Sequence, residues 1–440
     1  MEQFHLKPFS DNPSICVSVP GSKSMTNRAL LLAALADGTS RLDGVLFSDD
    51  SRVFMKALQT VGFDVEIDEA KKQVRICGCG GKVPAKSGSV YVGSAGTAAR
   101  FLTAMLALSG GNYEMTSSEQ MKKRPMRPLL EALEQLGVNL EYREKPYAFP
   151  FVIKGRKPVA CRKVSLNIDE SSQFLSALLL SGVMVKDGFS IELTGKRDAK
   201  AYVEISMKMM GQFGAAVQKI GEQEYGIPAH SRYRAMEYQI EPDVSAACYF
   251  YAMAAIHGGS AIVRNVDFSN SQGDIAFLKA LEQMGCRLSE TEEGVLLQAP
   301  ENEKLKGITI NMSNFSDQTM TLAVTAVFAE GETIIDGVGH IRGQESDRIH
   351  GIATELNRMG IFCEERENGL RIVPDSDVLA QYEEGKRSVT FQTYEDHRMA
   401  MAFAVIGTKI PGITIDNPLC CRKTFENYFE VLTNLDLSLE

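Results

Sequence analysis

A lysine and an arginine stand at the start of the first apolar helix that the sequence predicts. Residues 19–28 read Val-Pro-Gly-Ser-Lys-Ser-Met-Thr-Asn-Arg, and a run of alanine and leucine follows them. Ser22 or Ser24 can cap this helix, which leaves the N–H groups of its first turn pointing outward. Lys23 and Arg28 lie beside that positive end, so the pattern favours an anion, most simply a phosphate. The alternative is an ordinary capped helix with two solvated cations, because short Gly/Ser/Lys loops are common. The segment is not a Walker A loop, since it lacks the second glycine before the lysine.

Similar polar clusters begin other predicted helices. They occupy residues 93–100, 121–128, 171–173, 315–319, 344–348, 394–398 and 421–424. Capping alone is a sufficient reason for Ser346, Asp347, Asp396 and Thr424. It does not explain cations, which are unfavourable at a helix N-terminus unless an anion joins them. The cations in these positions are Lys23, Arg28, Arg100, Arg124, Arg348, Arg398 and Lys423. The pattern predicts a ligand with several negative charges.

The elements that must position these clusters form a repeat. Amphipathic helices end at residues spaced roughly 75 apart, namely Gly62, Gly137, Gly214, Gly285, Gly360 and, in a weaker sixth copy, Asn434. Each of these residues suits the left-handed backbone conformation that follows a helix end. A strand of alternating apolar and polar residues comes next. A second helix precedes each copy and is apolar around its circumference, over residues 29–36, 100–108, 174–180, 246–256, 320–328 and 399–406. Helices of that kind belong in a core. The repeat therefore predicts an α/β protein in which three units surround buried helices, with the sheets outside.

Two such triplets predict two domains in a chain of 440 residues. The breaks at Pro20-Gly21 and Glu241-Pro242 suit crossovers. We expect residues 22–242 to form one domain, and residues 1–21 with 243–440 to form the other. A cleft between two domains is a preferred place for a ligand, so we expect the active site there.

The composition excludes several classes of protein. A net charge of −9 argues against nucleic acid or an anionic membrane as a partner. No signal-peptide pattern or membrane-spanning apolar run is evident, which favours a cytoplasmic protein. The nine cysteines and six histidines show neither a disulfide framework nor zinc-ligand spacing. We therefore expect no metal site.

Seven segments, taken in order, resemble the 5-enolpyruvylshikimate-3-phosphate (EPSP) synthase family. They are Val-Pro-Gly-Ser-Lys-Ser-Met-Thr-Asn-Arg, Ser-Ala-Gly-Thr-Ala-Ala-Arg, Arg-Pro-Met, Ser-Ser-Gln-Phe-Leu, Glu-Ser-Asp-Arg-Ile, Asp-His-Arg-Met-Ala-Met and Lys-Thr-Phe, within residues 19–429. The resemblance implies a two-domain inside-out α/β barrel, each domain being three repeats of a βαβαββ unit. It also implies transfer of the enolpyruvyl group of phosphoenolpyruvate to the 5-hydroxyl of shikimate 3-phosphate, a step toward chorismate and the aromatic amino acids. No cofactor is implied, and a monomer is expected.

The resemblance also implies roles for particular residues. Asp317 would be the proton acceptor, Glu345 the proton donor, and Lys23 would touch both substrates. The residues expected to bind shikimate 3-phosphate are Lys23, Ser24, Arg28, Ser171, Ser172, Gln173, Asp317, His340 and Gln344. Those expected to bind phosphoenolpyruvate are Lys23, Gly96, Arg124, Gln173, Arg348, Arg398 and Lys423.

Several positions depart from the family pattern. Gln344 stands where lysine is usual and His340 where asparagine is usual. Ala199 replaces a serine three residues before Tyr202, and Phe101 replaces a proline that many members carry. The first three lie on the acceptor side, so two alternatives stay open. One is transfer to another acceptor such as UDP-N-acetylglucosamine, and the other is a non-catalytic phosphate-binding relative.

Overall fold

The computed structural model describes residues 3–9, 12–156, 162–196, 200–301 and 304–437. The chain divides into two units. The middle unit is Gly21–Glu241, and the outer unit joins Met1–Pro20 to Pro242–Glu440. The domain boundaries expected from the sequence each lie one residue further along the chain than these.

Helices and strands alternate along both units. The outer unit begins with β1 (Gln3–His5) and β2 (Ser14–Val17). The middle unit contains α1 (Lys23–Leu35), β3 (Asp37–Asp43), α2 (Asp49–Thr60), β4 (Asp64–Asp68), β5 (Gln73–Cys79), β6 (Ser87–Tyr91), α3 (Gly96–Leu108), β7 (Asn112–Thr116), α4 (Glu119–Lys122), α5 (Arg127–Gln135), β8 (Val138–Tyr142), β9 (Phe151–Arg156), β10 (Lys163–Asn167), α6 (Gln173–Ser181), β11 (Phe189–Thr194), α7 (Lys200–Gln212), β12 (Gln218–Lys219), β13 (Glu224–Ile227) and β14 (Glu237–Gln239).

The rest of the outer unit follows the same alternation. It contains α8 (Val244–His257), β15 (Ser260–Val263), α9 (Ala276–Gln283), β16 (Arg287–Thr291), β17 (Gly294–Gln298), β18 (Thr309–Asn311), α10 (Thr319–Ala326), β19 (Thr333–Asp336), α11 (Arg348–Met359), β20 (Phe362–Arg366), β21 (Gly369–Val373), α12 (Ser376–Glu383), β22 (Val389–Phe391), α13 (His397–Lys409), β23 (Ile413–Asp416) and α14 (Tyr428–Leu437). Short 3₁₀ helices occupy Gly182–Met184, Gly273–Ile275, Ser316–Gln318, Gly339–Gly343 and Pro418–Lys423.

One strand order recurs from sheet to sheet. In the sheet β6-β7-β9-β8, β6 is parallel to β7, while β9 is antiparallel to both β7 and β8. The sheets β10-β11-β13-β12, β14-β3-β5-β4, β16-β17-β15-β2 and β18-β19-β21-β20 have the equivalent order. Each of these sheets contains one parallel pair, namely β6–β7, β10–β11, β14–β3, β2–β15 or β18–β19. Where the two strands follow one another in the chain, a buried helix crosses between them, as α3 does between β6 and β7. This order confirms the predicted βαβαββ unit.

The chain passes between the units at two joints, Pro20-Gly21 and Glu241-Pro242. Strands from distant parts of the chain complete the sheets near these joints. In the middle unit, the last strand, β14, pairs in parallel with β3. In the outer unit, β2 pairs in parallel with β15, and β1 pairs antiparallel with β23. The sixth sheet is β1-β23-β22. The N-terminal strands are therefore integral parts of the outer unit.

The cores are built on the apolar helices. In the middle unit, α1, α3 and α6 contact one another, and every residue of α3 is buried. In the outer unit, α8, α10 and α13 contact one another, and every residue of α10 is buried. The helices are thus central in each unit, as predicted from their missing polar faces. Among the described residues, no helix is long and apolar enough to cross a membrane.

The repeat glycines behave as predicted, but the sixth position does not. Gly62, Gly137, Gly214, Gly285 and Gly360 all have positive φ. Asn434 instead lies within α14, so the prediction that it ends a helix is wrong. The physical reason is that β1, from the N-terminal part of the chain, supplies the antiparallel partner of β23. The chain therefore has no need to turn at Asn434.

Candidate functional site

In the middle unit, three side-chain hydrogen bonds join the starts of the buried helices. Asn27 of α1 donates to the Thr97 hydroxyl of α3 over 2.6 Å, between Nδ2 and Oγ1. Arg100 of α3 donates through Nη1 to Gln173 Oε1 of α6 over 2.6 Å. Arg28 of α1 reaches Ser176 of α6 over 3.5 Å. The predicted polar clusters of these three helices are therefore neighbours.

Lys23 occupies the first residue of α1. Ser22 caps this helix, since its hydroxyl accepts the Met25 N–H over 3.4 Å. The Lys23 ammonium lies 3.5 Å from Asp50 Oδ2, so a carboxylate that the sequence analysis did not single out orients it. The capping prediction is confirmed for Ser22, and Ser24 instead offers its carbonyl oxygen to Arg28 over 2.8 Å.

Arg28 is a buried cation held by neutral groups. Its Nε donates to Ser206 Oγ over 2.8 Å, and Nη2 donates to the Tyr202 carbonyl oxygen over 3.2 Å. The guanidinium also lies 5.3 Å from the ring centre of Phe101, the residue that replaces the usual proline. Burial lowers the pKa of Arg28 to about 10, so it remains charged at neutral pH. In the described part of the chain its hydrogen-bond partners carry no charge, which leaves the positive charge for an anion.

Arg100 and Arg124 form a second group of cations. Arg100 is 2% exposed and also donates to the Pro125 carbonyl oxygen over 3.0 Å. Arg124 donates to the Ser94 carbonyl oxygen over 3.2 Å. Burial, and then the charge of Arg124, holds the pKa of Arg100 well below its usual value. Both Nε atoms are buried with no hydrogen-bond partner among the described residues. An anion at this place would relieve the repulsion between the two guanidinium groups.

Because Gly96 has no side chain, it leaves room for the Arg124 guanidinium. A Cβ at Gly96 would lie 2.8 Å from Nη2 and 3.0 Å from Cζ of Arg124. Ser171 and Ser172 precede α6, are each 6% exposed, and the Ser171 hydroxyl accepts the Gln173 N–H over 3.3 Å. Gly96 thus lies against one buried cation, and the hydroxyl groups before α6 adjoin Gln173, which bonds the other, Arg100.

In the outer unit, Asp317 lies between two buried arginines. Its Oδ1 is 3.1 Å from Arg348 Nη1, and its Oδ2 is 2.8 Å from Arg398 Nη2. Asp317 belongs to the 3₁₀ turn before α10, whereas the arginines belong to the first turns of α11 and α13. Burial opposes the charge of Arg348, but Asp396 and Asp317 outweigh it and raise its pKa. Both arginines are therefore cationic, and Asp317 is a carboxylate with a fixed direction.

Asp396 holds Arg348 and the start of α13 together. Its Oδ2 accepts from Arg348 Nε over 2.8 Å, and its Oδ1 accepts from Arg348 Nη2 over 3.3 Å. Oδ1 also accepts the Arg398 N–H over 3.0 Å, so Asp396 is the predicted N-cap. Burial disfavours its charge, but Arg348 and His397 together outweigh burial and lower its pKa.

Of the other predicted caps, one is confirmed and two are wrong. Asp347 accepts the His350 N–H over 3.0 Å and caps α11. Ser346 instead donates to Asp396 Oδ2 over 3.1 Å, because it faces α13. Thr424 follows the 3₁₀ helix Pro418–Lys423 as its C-terminal flanking residue, so it begins no helix.

Glu345 lies between an imidazole and a cation. Its Oε2 is 3.0 Å from His397 Nδ1 and 3.6 Å from Lys423 Nζ. Glu345, Asp396 and His397 also have ligand-type atoms within 4.8 Å of one another, a cluster that cysteine and histidine spacing did not reveal. Lys423 beside Glu345 and Arg348 on Asp396 oppose a metal ion there. This donor set suits an acid–imidazole pair better than a metal centre.

Asp274, together with Ser245, is a part of the outer site that sequence reasoning missed. Asp274 Oδ2 accepts hydrogen bonds from the Ser245 hydroxyl and from Gln318 Nε2, the latter over 3.3 Å. The Ser245 hydroxyl is also 3.4 Å from Arg398 Nη2. Burial, and then the charge of Asp317, raises the pKa of Asp274 to about 6. Ser245 is in the first turn of α8, whose start carries no Lys or Arg, so the repeat of buried helices was the available signal in the sequence.

The remaining positions singled out in the sequence are His340, Gln344 and Ala199. His340 Nε2 lies 2.8 Å from the Ser316 hydroxyl, next to Asp317 in the chain. Gln344 is half-buried and follows the 3₁₀ helix Gly339–Gly343. Ala199 lies outside the described residues. The expectation that the ligands bind in a cleft between the domains stays a prediction.

Comparisons with known proteins agree with the resemblance seen in the sequence. A family model described as EPSP synthase (3-phosphoshikimate 1-carboxyvinyltransferase) matches residues 14–432. A 3-phosphoshikimate 1-carboxyvinyltransferase of Trichormus variabilis is 41% identical over 413 residues, 94% of this chain and 94% of the relative. One of Ralstonia nicotianae is 38% identical over 427 residues, 94% of this chain and 95% of the relative. A solved EPSP synthase of Acinetobacter baumannii is similar with a TM-score of 0.80 and 26% identity, covering 99% of this chain and 98% of that one.

Proposed function

Because this chain belongs to the EPSP synthase (3-phosphoshikimate 1-carboxyvinyltransferase) family, we propose that it transfers the enolpyruvyl group of phosphoenolpyruvate to the 5-hydroxyl of shikimate 3-phosphate. In this reaction the methylene carbon of phosphoenolpyruvate gains a proton, and the hydroxyl attacks the resulting cationic carbon. The tetrahedral adduct then loses phosphate and a proton from its methyl group. Such chemistry requires an acid, a base and dense stabilisation of anions.

The observation that carries the proposal is the placement of the two acids of the outer unit. Asp317 is oriented by Arg348 and Arg398, while Glu345 lies against His397 and Lys423. In the proposed mechanism, Asp317 accepts the proton of the attacking hydroxyl. Glu345 delivers a proton to the methylene carbon, and the nearby imidazole can stabilise either protonation state of this acid. Because different cations surround the two carboxyl groups, one group can act as a base and the other as an acid.

The anion-binding roles fall on the buried cations. Arginine suits carboxylate and phosphate because its fork donates two parallel hydrogen bonds. The residues that we assign to phosphoenolpyruvate are Lys23, Gly96, Arg124, Gln173, Arg348, Arg398 and Lys423. Those that we assign to shikimate 3-phosphate are Lys23, Ser24, Arg28, Ser171, Ser172, Gln173, Asp317, His340 and Gln344. Gln344 is neutral, so it would hydrogen-bond an acceptor hydroxyl where a lysine is usual.

We further propose that the protein acts in the cytoplasm as a monomer on these two small molecules. The net charge of −9 gives no support for a nucleic-acid partner. The eight cysteines among the described residues are all free thiols, which suits a reducing compartment.

The test is phosphate release from phosphoenolpyruvate with each of two acceptors. Shikimate 3-phosphate should support turnover, and UDP-N-acetylglucosamine should not. A reaction mixture with a chelator should be equally active, because Lys and Arg supply the charge neutralisation. Turnover with the nucleotide sugar alone would identify the other acceptor. Calorimetric binding of shikimate 3-phosphate without turnover would indicate a non-catalytic relative.

A further inference from the structure

Two consecutive residues with a left-handed backbone directly precede the acid that orients Arg348. Tyr394 has φ 55° and Glu395 has φ 57°, and neither is glycine. Side chains rarely adopt this region, and such residues persist only where the surrounding structure holds them. The chain then continues into Asp396, His397 and Arg398, so the turn sets the direction in which α13 begins.

The turn is fastened to α11 by a buried carboxylate. Glu355 is 1% exposed, and its Oε1 accepts the Tyr394 hydroxyl over 2.8 Å. Its Oε2 accepts the Gln392 N–H over 3.2 Å and pairs with Arg358. Burial, and then the hydrogen bond to Glu355, raises the pKa of Tyr394 to about 12, so the hydroxyl remains a donor at neutral pH.

The Tyr394 ring also packs on α11. A Cβ at Gly351 would lie 2.8 Å from Met399 Cε and 3.3 Å and 3.4 Å from two atoms of the ring, so the ring lies against the helix at this glycine. Gly351 and Glu355 are one helical turn apart on the same face. The same helix begins with Arg348, which binds Asp396 through two hydrogen bonds. The turn and the acid after it are thus both fixed to one rigid element.

We propose that Tyr394 and Glu355 are positioning residues that hold the left-handed turn before Asp396 and so fix the direction of its carboxylate toward Arg348. The role in turnover rests on the proposed function. Loss of the Tyr394 hydroxyl frees the turn to relax, which rotates Asp396 and misplaces Arg348 and Arg398 relative to Asp317. A positioning error on the order of 1 Å is enough to reduce turnover substantially.

Three variants test the proposal. Tyr394→Phe removes only the hydroxyl, and we expect kcat/KM for phosphoenolpyruvate to fall roughly 10-fold to 100-fold. Adding Glu395→Asn should restore most of that loss, because asparagine tolerates the left-handed region. The matched control is Tyr382→Phe, which removes a buried 3.1 Å hydrogen bond from Tyr382 to the Met359 carbonyl oxygen of α11, an acceptor that lies outside the turn. It should lower the melting temperature without changing kcat/KM.

Binding of phosphoenolpyruvate alone, measured by calorimetry, separates this proposal from the proposed function. If the wild type shows no transfer, the affinities of the same variants still decide whether the turn positions the cations. Weaker binding by Tyr394→Phe, recovered with Glu395→Asn, supports the positioning role. Equal effects of Tyr394→Phe and Tyr382→Phe on every readout would overturn it, as would a failure of Glu395→Asn to recover any binding or turnover.

Discussion

Asp317 and Glu345 differ in what surrounds them, and that difference supports the roles proposed for them. Asp317 contacts two guanidinium groups that cannot give up a proton, whereas Glu345 contacts an imidazole that can. Permanent cations keep a carboxylate ionised and so available to accept a proton, and a titratable neighbour suits an acid that must be reprotonated.

Amide replacement of either acid should remove its proton transfer while leaving the shape of the site. Asp317→Asn and Glu345→Gln are each expected to lower kcat by about 10²-fold or more, with calorimetric binding of shikimate 3-phosphate largely kept. The control is Glu332→Gln, which breaks only an exposed 2.7 Å pair with Arg371 in the same unit and should leave kcat unchanged. Near-normal turnover in both acid variants would mean that these roles are wrong.

The raised pKa of Asp274 should make the protein less stable as pH rises, which is the opposite of the usual effect of an ion-paired carboxylate. Its pKa is raised to about 6 by burial and by Asp317, so the folded state binds this proton more tightly than the unfolded state does. The free energy of unfolding should therefore fall as pH rises from about 4 to about 6, by on the order of 2–3 kcal/mol from this group. Above that range its contribution should be constant.

Asp274→Asn should remove this slope, since an amide resembles the protonated acid and can still accept from Ser245 and Gln318. Urea unfolding at a series of pH values measures the effect. The variant should be as stable as the wild type near pH 4 and more stable near pH 7. Parallel stability curves for the two proteins across that range would contradict the assignment.

At the scale of secondary-structure elements, the glycines that end the repeated helices determine the local backbone conformation, since they all have positive φ. Gly285 has φ 112° and its nearest neighbour atoms to an added Cβ are 3.8 Å away, so only backbone strain opposes a side chain there. Gly285→Ala should lower the free energy of unfolding by roughly 1 kcal/mol or more. Gly211→Ala is the matched control, because Gly211 lies in α7 with no atom within 4 Å of an added Cβ, and it should raise stability by up to about 1 kcal/mol. Equal effects in urea unfolding would refute this reading.

The same distinction explains how far the sequence could be interpreted. Glycine positions and apolar helices are local signals, so the repeated unit of helices and strands and the buried helices were predictable, whereas the βαβαββ order was implied by the family resemblance. The Arg28, Arg100 and Arg124 positions were predictable too, because a cation at a helix start conflicts with the helix dipole. Contacts such as Glu355 with Tyr394, or Asp274 with Ser245, join residues tens of positions apart. Nothing local specifies them, and neither periodicity nor spacing could reveal which acid meets which partner.

For the whole molecule, the two joints decide which parts can fold alone. The middle unit is one continuous segment whose ends meet, since the Ser22 N–H donates to the Glu241 carbonyl oxygen over 2.9 Å. The outer unit is discontinuous, but its two pieces also meet, because the Asp243 N–H donates to the Pro20 carbonyl oxygen over 2.8 Å. Each unit has its own hydrophobic core. Among the described residues, each sheet takes all its strands from a single unit.

We therefore expect residues 21–241 to fold as an isolated fragment with a single cooperative urea transition. Residues 242–440 alone should not, because without β1 and β2 the strands β23 and β15 lose partners and the core loses Ile15 and Leu6. Joining residues 1–20 directly to 242–440 through two glycines should restore cooperative folding, since the 2.8 Å contact at the joint leaves little distance to span. Circular dichroism and amide-exchange protection of the three fragments provide the measurement. A folded 242–440 fragment, or a joined fragment that remains unfolded, would show that β1 and β2 do not complete the outer unit in the way its sheet pairing implies.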